Sequence, residues 1–246
     1  MRHSIERFLT EFAHKAARSP LVKTLMKPFY YSYKKIVKNN RNRIFRKYGM
    51  EALIQFDSCM QKNNLYYTLA FGTMLGAIRE HGFINHDLDI DVSMFADDYS
   101  DNLRDVLGEY GFELTHRFLV DKGLSGREET YMFKGVSIDI FFFYPPFDKY
   151  PYCCDFLMRE GTATFRESMN NYGSVLPRRI ELPIERARKK VPFGNTELFV
   201  PLNAEEILSF RYGEDYMIPN PEWDVRSHDL HIVEWEDKKG IFEDFE

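Results

Sequence analysis

Helical spacing of apolar residues dominates the first part of the chain. From Ile5 to Val37 these residues recur among Lys and Arg, and Pro20 and Pro28 predict that the stretch is broken into short helices. From Arg43 to Asn63 the same spacing predicts a further amphipathic helix. Helical segments in series are therefore expected before the first strand.

Further along the chain, short apolar and aromatic runs predict strands. The first, residues 65–71, is closed by Gly72, and Thr73 is the expected N-cap of a helix from Met74 to Glu80. The other expected strands are residues 88–92, 112–120, 129–134 and 136–144, with a crossing helix at residues 98–110. Beyond Pro145 the pattern becomes helical and irregular, and it ends in a predicted helix from Ala204 to Tyr212.

Charge is divided unevenly along the 246 residues, although 44% of them are hydrophobic and can form a core. Residues 1–47 contain 13 Lys and Arg and 2 Glu, so their net charge is +11. The net charge of the whole chain is −5, so residues 48–246 carry −16. The expected division is a basic helical N-terminal segment, 1–47, and a separate domain, 48–246, with a helical C-terminal part. A basic amphipathic segment suits peripheral contact with an anionic membrane, but it is equally typical of a solvated helix packed on the domain.

Composition also bears on compartment and partners. Cys59, Cys153 and Cys154 match neither a disulfide framework nor a zinc site, and a reducing compartment is the simple interpretation. No stretch has the length of a signal peptide or transmembrane helix, so a cytoplasmic protein is expected. The overall charge does not indicate a nucleic-acid partner.

Acidic residues stand in two of the predicted strands. Asp87, Asp89 and Asp91 alternate with other residues, which predicts that their side chains lie on one side of a strand. Asp139 stands alone in an otherwise apolar strand, where an unpaired acid is rare. Crowded carboxylates raise one another's pKa unless a cation compensates, and oxygen ligands of this kind suit Mg²⁺ or Mn²⁺. A metal held by Asp89, Asp91 and Asp139 is therefore expected.

Two further patterns affect the expected chemistry. Gly72 and Thr73 form a strand-to-helix turn, where backbone N–H groups favour an anion such as phosphate. The spacing of the acids also resembles the start of an EF-hand calcium loop. That loop needs Gly and Glu where this chain has Val92 and Asp98, so it is excluded.

Several segments closely resemble the signature of the LicD/fukutin family and together span residues 65–221. They are Phe71-Gly72-Thr73-Met74-Leu75-Gly76-Ala77-Ile78-Arg79, Gly82-Phe83-Ile84, Asp87-Leu88-Asp89-Ile90-Asp91, Ser137-Ile138-Asp139-Ile140-Phe141 and Tyr212-Gly213-Glu214-Asp215-Tyr216-Met217-Ile218-Pro219. The resemblance implies an α+β fold of the DNA polymerase beta-like nucleotidyltransferase type, a mixed sheet with flanking helices, here with a helical N-terminal segment. It also implies a carboxylate pair on one strand and a third acid on its neighbour.

The resemblance further implies transfer of a phospho-alcohol, such as phosphocholine, ribitol phosphate or glycerol phosphate, from a CDP-linked donor. The acceptor would be a sugar hydroxyl of a surface polysaccharide or glycolipid. Asp89 and Asp91 correspond to the metal pair, Asp139 to the third acid, and Gly72 and Thr73 to the phosphate-contacting turn. Asp139 or Asp87 is the candidate general base. Arg79 and His86 are candidate substrate-binding residues, with a surface Arg and a local hydrogen bonder as the plainer interpretations.

Two other functions stay open. A true nucleotidyltransferase would leave the nucleotide on its acceptor instead of releasing CMP. A non-catalytic module would use the same fold only to bind a nucleotide or glycan, although the presence of Asp89, Asp91 and Asp139 argues against it.

Overall fold

The computed structural model describes residues 20–85, 87–220 and 231–245, with side chains from residue 35 onward. Within these ranges the fold contains eleven strands. In chain order they are β1 Thr68–Leu69, β2 Asp89–Phe95, β3 Glu113–Val120, β4 Gly126–Phe133, β5 Val136–Phe143, β6 Tyr152–Leu157, β7 Leu176–Glu181, β8 Arg188–Phe193, β9 Thr196–Pro201, β10 Ile232–Glu234 and β11 Gly240–Asp244. The expected strands at residues 88–92, 112–120, 129–134 and 136–144 are confirmed within a few residues. The first strand is much shorter than predicted.

The α-helices of the same ranges are α1 Pro20–Lys62, α2 Phe71–Glu80, α3 Leu103–Glu109, α4 Phe165–Tyr172 and α5 Ala204–Tyr212. The prediction of α5 is confirmed at both ends. The prediction that Pro28 breaks the N-terminal stretch was wrong, because α1 runs for 43 residues through it, whereas the break predicted at Pro20 borders on residues outside the described ranges. Pro20 is the first residue of α1, where its missing N–H has no partner to lose, and Pro28 removes only one hydrogen bond of a long helix.

The central six-stranded sheet has the order β1-β2-β5-β4-β3-β11. Neighbours in it are antiparallel except β2 and β5, which run parallel. Strand β11, close to the C-terminal end, closes one edge of the sheet. This arrangement confirms an α+β protein with a mixed sheet and flanking helices.

Alternation along β2 and β5 gives the sheet two different faces. Ile90, Val92, Ile138 and Ile140 are fully buried on one face, where the core lies. Helix α1 belongs to this core through residues at helical spacing, which are Ala52, Leu53, Phe56, Cys59 and Met60. The opposite face, on which the acids of β2 and β5 alternate with these residues, is only partly buried.

The segment after Pro145 departs from the predicted helical pattern. Strands β6 and β7 form a second sheet with β10, and β8 pairs with β9 in a hairpin. The prediction was wrong here because pairing overrides a weak helical spacing. Gly194 and Asn195 form the two-residue hairpin turn, a signal that the sequence contains.

No helix within the described ranges has both the length and the hydrophobicity to cross a membrane. The basic segment predicted at 1–47 lies partly outside these ranges, and position 47 falls inside α1.

Candidate active site

Three carboxylates come together where β2 and β5 run side by side. Asp91 and Asp139 are direct partners in the parallel register, and Asp89 precedes Asp91 on the same face of β2. Neighbouring strands lie about 4.8 Å apart, so the two strands place Asp91 and Asp139 in adjacent positions. The structure thus brings together the three acids that the sequence nominates.

Asp87 joins these acids from a turn, and not from the strand on which it was expected, since β2 begins at Asp89. Its Oδ2 accepts a hydrogen bond of 2.9 Å from the backbone N–H of Ile84, and its own N–H donates to the Ile84 carbonyl over 3.0 Å. Its Oδ1 faces Gly72 together with Asp91 Oδ2. The neighbouring His86 lies outside the described residues.

Helix α2 starts directly beside Asp91. The backbone N–H of Asp91 donates to Thr73 Oγ1 over 2.9 Å, and the N–H of Ala70 donates to the Asp91 carbonyl over 3.0 Å. The expectation that Thr73 caps the helix was wrong, because α2 already begins at Phe71 and its N-cap is Ala70. Phe71 itself has φ of 43°, a conformation that costs energy for a residue with a side chain and that concentrates at functional sites.

Two glycines of α2 allow close approach to the acids. A Cβ on Gly72 would lie 3.6 Å from Asp91 Oδ2 and 3.8 Å from Asp87 Oδ1, so the bare Cα leaves open space beside both carboxylates. A Cβ on Gly76 would lie only 2.4 Å from the Gly82 carbonyl oxygen. Gly76 therefore permits the chain after α2 to fold back onto the helix, which places the Ile84–Asp87 turn.

A fourth acid on this face was missed by the sequence analysis. Glu128 lies on β4, two residues before Thr130, which is the direct partner of Asp139 and donates a hydrogen bond of 2.7 Å to it. Alternation therefore places Glu128 on the same side as Asp139. The β4 pattern would have suggested this orientation, but the predicted strand began only at Glu129. We call the side of β2, β5 and β4 that carries Asp89, Asp91, Asp139 and Glu128 the acid face.

Burial raises the pKa of every carboxyl of the acid face, and neighbouring negative charges raise it further at Asp91, Asp139 and Glu128. Burial, followed by the charges of Asp89, Asp139 and Asp87, raises the pKa of Asp91 well above its ordinary value. Burial chiefly raises the pKa of Asp139 to about 6 and also raises that of Asp89. For Glu128 the causes are burial and then the charges of Asp139, Asp155 and Asp91. A bound cation would stabilise the ionised forms of all four groups.

Two arginines that the sequence analysis did not select act on these acids. Arg41 of α1 lowers the pKa of both Asp89 and Asp139. Arg211 of α5 lowers the pKa of Asp91 and is buried with its guanidinium 4.1 Å from the centre of the Phe71 ring. Arg211 directly precedes the late motif that begins at Tyr212, which is the signal that could have pointed to it.

Several arginines other than Arg41 and Arg211 contact groups outside the acid face. Arg79 stands in the last turn of α2, where it pairs with Glu80 at 2.9 Å and donates to the Tyr216 carbonyl over 3.4 Å. The helical pattern predicted beyond Pro145 would place Arg178, Arg179, Arg186 and Arg188 on the solvated face of a helix, and this prediction was wrong. Arg178 and Arg179 lie on β7, Arg188 on β8 and Arg186 just before β8, because that region forms strands.

A cavity of about 720 Å³ opens on the acid face. Its charged lining comes from Arg41, Asp89, Glu128, Asp139, Asp155 and Asp244, and its aromatic lining from Phe118, Phe141, Phe156 and Phe165. Asp155 is ion-paired with Arg178, and Asp244 with Arg166. The acids of β2, β5 and β4 therefore supply most of the uncompensated charge of the cavity.

The donor set fits a hard divalent cation that binds together with phosphate. In the part of the chain that the structure describes, no three Asp, Glu, His or Cys side chains are grouped closely enough to form a complete metal site by themselves. Magnesium does not require such a cage, because it commonly takes one or two carboxylates and completes its octahedral shell with water and phosphate oxygens. Asp89, Asp91 and Asp139 are the residues that would hold it.

Fold and site together define an α+β domain with a carboxylate-lined cavity and with a helix that starts beside Asp91. Residues 64–203 match the family model described as "LicD/FKTN/FKRP, nucleotidyltransferase domain". The chain belongs to this family, which confirms the resemblance drawn from its motifs.

Curated relatives are more distant. Over 185 residues the chain is 27% identical to the mouse protein "Ribitol-5-phosphate transferase FKTN", with 75% of this chain and 36% of that protein covered. Proteins of the same name from Homo sapiens and Macaca fascicularis are each 24% identical over 73% of this chain and 35% of their own length. The chain thus spans about a third of the length of the relatives it matches.

Proposed function

We propose that this protein transfers a phospho-alcohol, such as ribitol phosphate, phosphocholine or glycerol phosphate, from a CDP-linked donor to a sugar hydroxyl of a polysaccharide or glycolipid. The proposal includes a DNA polymerase beta-like nucleotidyltransferase fold and dependence on Mg²⁺ or Mn²⁺. The observation that carries it is the convergence of Asp89, Asp91 and Asp139 on one face of two parallel strands, beside the start of α2. The names of the fukutin relatives favour ribitol phosphate as the transferred group.

In the proposed reaction the acceptor hydroxyl attacks the phosphorus that bears the alcohol. The new bond joins the acceptor oxygen to that phosphorus, and the bond to the bridging oxygen breaks, so CMP leaves with its electron pair. A divalent ion, when bound, would supply electrostatic stabilisation of the charge that builds on the phosphate oxygens. Asp89 and Asp91 are the residues that would hold this ion.

The proton of the acceptor hydroxyl goes to a carboxylate of the site. Asp139, with its pKa raised to about 6, and Asp87, held beside Asp91 by the Ile84 turn, are the candidates for this general base. Gly72 leaves open space at the start of α2, where backbone N–H groups favour a phosphate. Thr73 serves this arrangement by fixing the backbone of Asp91 through its Oγ1.

The test is release of CMP by the purified protein with Mg²⁺ from CDP-ribitol, CDP-choline, CDP-glycerol and CDP-ethanolamine, each with glycan acceptors. The variant Asp89→Asn should abolish release. The matched control is Asp105→Asn, which changes an exposed carboxylate on α3 in the same way. CMP release from one donor by the wild type and by Asp105→Asn, but not by Asp89→Asn, would identify the reaction and its donor. Absence of release from every donor would contradict the proposal.

A second candidate is nucleotidyl transfer, which the description of the matched domain favours. The same carboxylates would serve it, because the two reactions differ in which phosphorus is attacked. The product separates them, since a nucleotidyltransferase retains labelled nucleoside monophosphate on its acceptor. Mass spectrometry of the acceptor therefore decides between the two candidates.

Peripheral contact with an anionic membrane is a further part of the proposal, since residues 1–47 carry a balance of +11. Within the described part of this segment, Ile36 is an apolar side chain with 66% of its surface exposed. We expect binding to phosphatidylserine vesicles that weakens with salt. Equal binding after deletion of residues 1–40 would contradict this expectation.

A further inference from the structure

One face of α1 reaches the cavity of the acid face. Val37, Asn40, Arg41 and Ile44 all line this cavity. Their spacing of three and four residues places them on the same side of the helix. Residues 37–44, in the middle of α1, therefore form part of the cavity wall, although they lie outside the family-matched residues 64–203.

Contacts on both sides hold this part of α1 in place. On one side the Ile44 side chain packs against the turn between β4 and β5, 3.2 Å from where a Cβ on Gly135 would stand. On the other side Arg46 donates to Asn85 Oδ1 over 3.1 Å, and Phe45 packs edge-on against Phe83 at 4.7 Å. Arg41 thus lies one helical turn before Phe45 and Arg46, which contact the loop that carries Asp87.

Arg41 has the properties of a group that meets an anion in the cavity. Its charge acts on Asp89 and Asp139, yet its side chain forms no ion pair or hydrogen bond with any described residue, and the residue is exposed. A guanidinium in this state keeps its planar set of donors available, and two of them match the oxygens of a phosphate.

The acid face creates the need for such a group. A diphosphate that enters beside Asp89, Asp139 and Glu128 meets three carboxyl groups, and the ionised forms of these groups repel it. Positive charge from the protein on the same cavity wall would lower this repulsion.

We infer that Arg41 binds the diphosphate of the nucleotide-linked donor, so that the N-terminal helix completes the substrate site. This inference rests on the proposed function for the identity of the donor. It assigns to α1 a role in substrate binding that is separate from any contact with a membrane. It also assigns to Arg41 a contact with substrate of the kind that the sequence predicts for Arg79.

The experiment measures binding of CDP, with Mg²⁺ present, by isothermal titration calorimetry. Arg41→Gln should weaken binding about 10-fold or more, because a charge-assisted pair of hydrogen bonds is lost. Arg41→Lys should restore part of the affinity, since it keeps the charge and loses the bidentate geometry. Lys38→Gln removes the same charge from an exposed position of α1 that does not line the cavity, and it should change binding less than about twofold.

Outcomes of this experiment separate the inference from the proposed function. If wild-type protein releases CMP but Arg41→Gln and Lys38→Gln bind CDP equally well, the inference is overturned and the function stands. If CDP binding is lost only in Arg41→Gln while no phospho-alcohol transfer is found, the diphosphate site stands without that function. Unchanged CDP binding with tighter Mn²⁺ binding in Arg41→Gln would show that Arg41 only offsets the carboxylates, and it would overturn the inference. Failure of the wild type to bind CDP would also overturn it.

Discussion

Adjacent glutamates on β4 illustrate two ways of placing charge in a protein. Glu129 is buried on the core side, where Arg127 pairs with it at 2.6 Å and the Tyr131 hydroxyl donates to it over 2.8 Å. Glu128 faces the other way, toward Asp139, and no described residue forms an ion pair or hydrogen bond with its side chain. On one face of the strand a buried arginine pairs with the glutamate, whereas on the acid face Glu128 adds its charge to that of Asp139 and Asp91. Charge left uncompensated by the fold is thus the mark of the site.

The largest effect on stability is expected at Glu129, on the face of β4 where the charges are paired. Glu129→Gln leaves the buried guanidinium of Arg127 without its counter-charge, which should lower the free energy of unfolding by about 3–5 kcal/mol. Glu128→Gln, one residue away, should not lower stability at neutral pH, because it replaces a carboxyl whose ionised form is already disfavoured. Urea unfolding of both variants checks the contrast. Equal destabilisation would show that the two faces do not differ in this way.

The next effect concerns activity. Asp91→Asn should reduce CMP release more than about 100-fold, because replacement even of residues that only support a metal ligand costs 10- to 100-fold. Its melting temperature in EDTA should equal or exceed that of the wild type, since the substitution relieves repulsion among Asp91, Asp89 and Asp139. Calorimetry and the CMP assay measure the two quantities on the same samples. Loss of stability together with activity would instead indicate that Asp91 is a structural residue.

Gly76→Ala tests the backbone packing that positions the site, and it leaves the charges of the site unchanged. The new Cβ would meet the Gly82 carbonyl at 2.4 Å, so we expect a loss of about 1–3 kcal/mol in stability and a displaced Ile84–Asp87 turn. Gly108→Ala is the control, because a Cβ there meets nothing within 4 Å inside α3. This control should be neutral or more stable by up to about 1 kcal/mol. Thermal unfolding measures the stability of both variants. Equal changes in stability would show that the close approach at Gly76 is unimportant.

A smaller effect follows from pH. The pKa of Asp139 is about 6 in the folded protein and 3.8 as its ordinary value, so between these values the folded state binds more protons than the unfolded state. Stability without metal should therefore fall as pH rises from about 4 to about 6, by at most about 1.4 kcal/mol per pH unit from this group. Addition of Mg²⁺ should stabilise the protein more at pH 8 than at pH 5. Melting curves of the wild type and of Asp139→Asn, which should lack this contribution, test the slope.

The sequence alone predicted much of the acid face because its signals are local. Alternation in Leu88-Asp89-Ile90-Asp91 requires that both acids share a side of their strand, and an apolar run around Asp139 marks it as unusual. Helix α5 was predicted at both ends for the same reason. The segment that forms β6 and β7 was misread because residues 152–157 pair with residues 176–181, far along the chain. The hairpin of β8 and β9 is local, and its Gly194-Asn195 turn was overlooked.

Side-chain alternation, which depends only on backbone geometry, thus determined by itself which way Asp89, Asp91 and Asp139 face. Only the tertiary structure decided which groups meet them. Register between β2 and β5 sets Asp91 beside Asp139, β4 adds Glu128, and the course of α1 brings Arg41 to the cavity. These meetings depend on the packing of whole elements against one another, and no local pattern of residues encodes such distances.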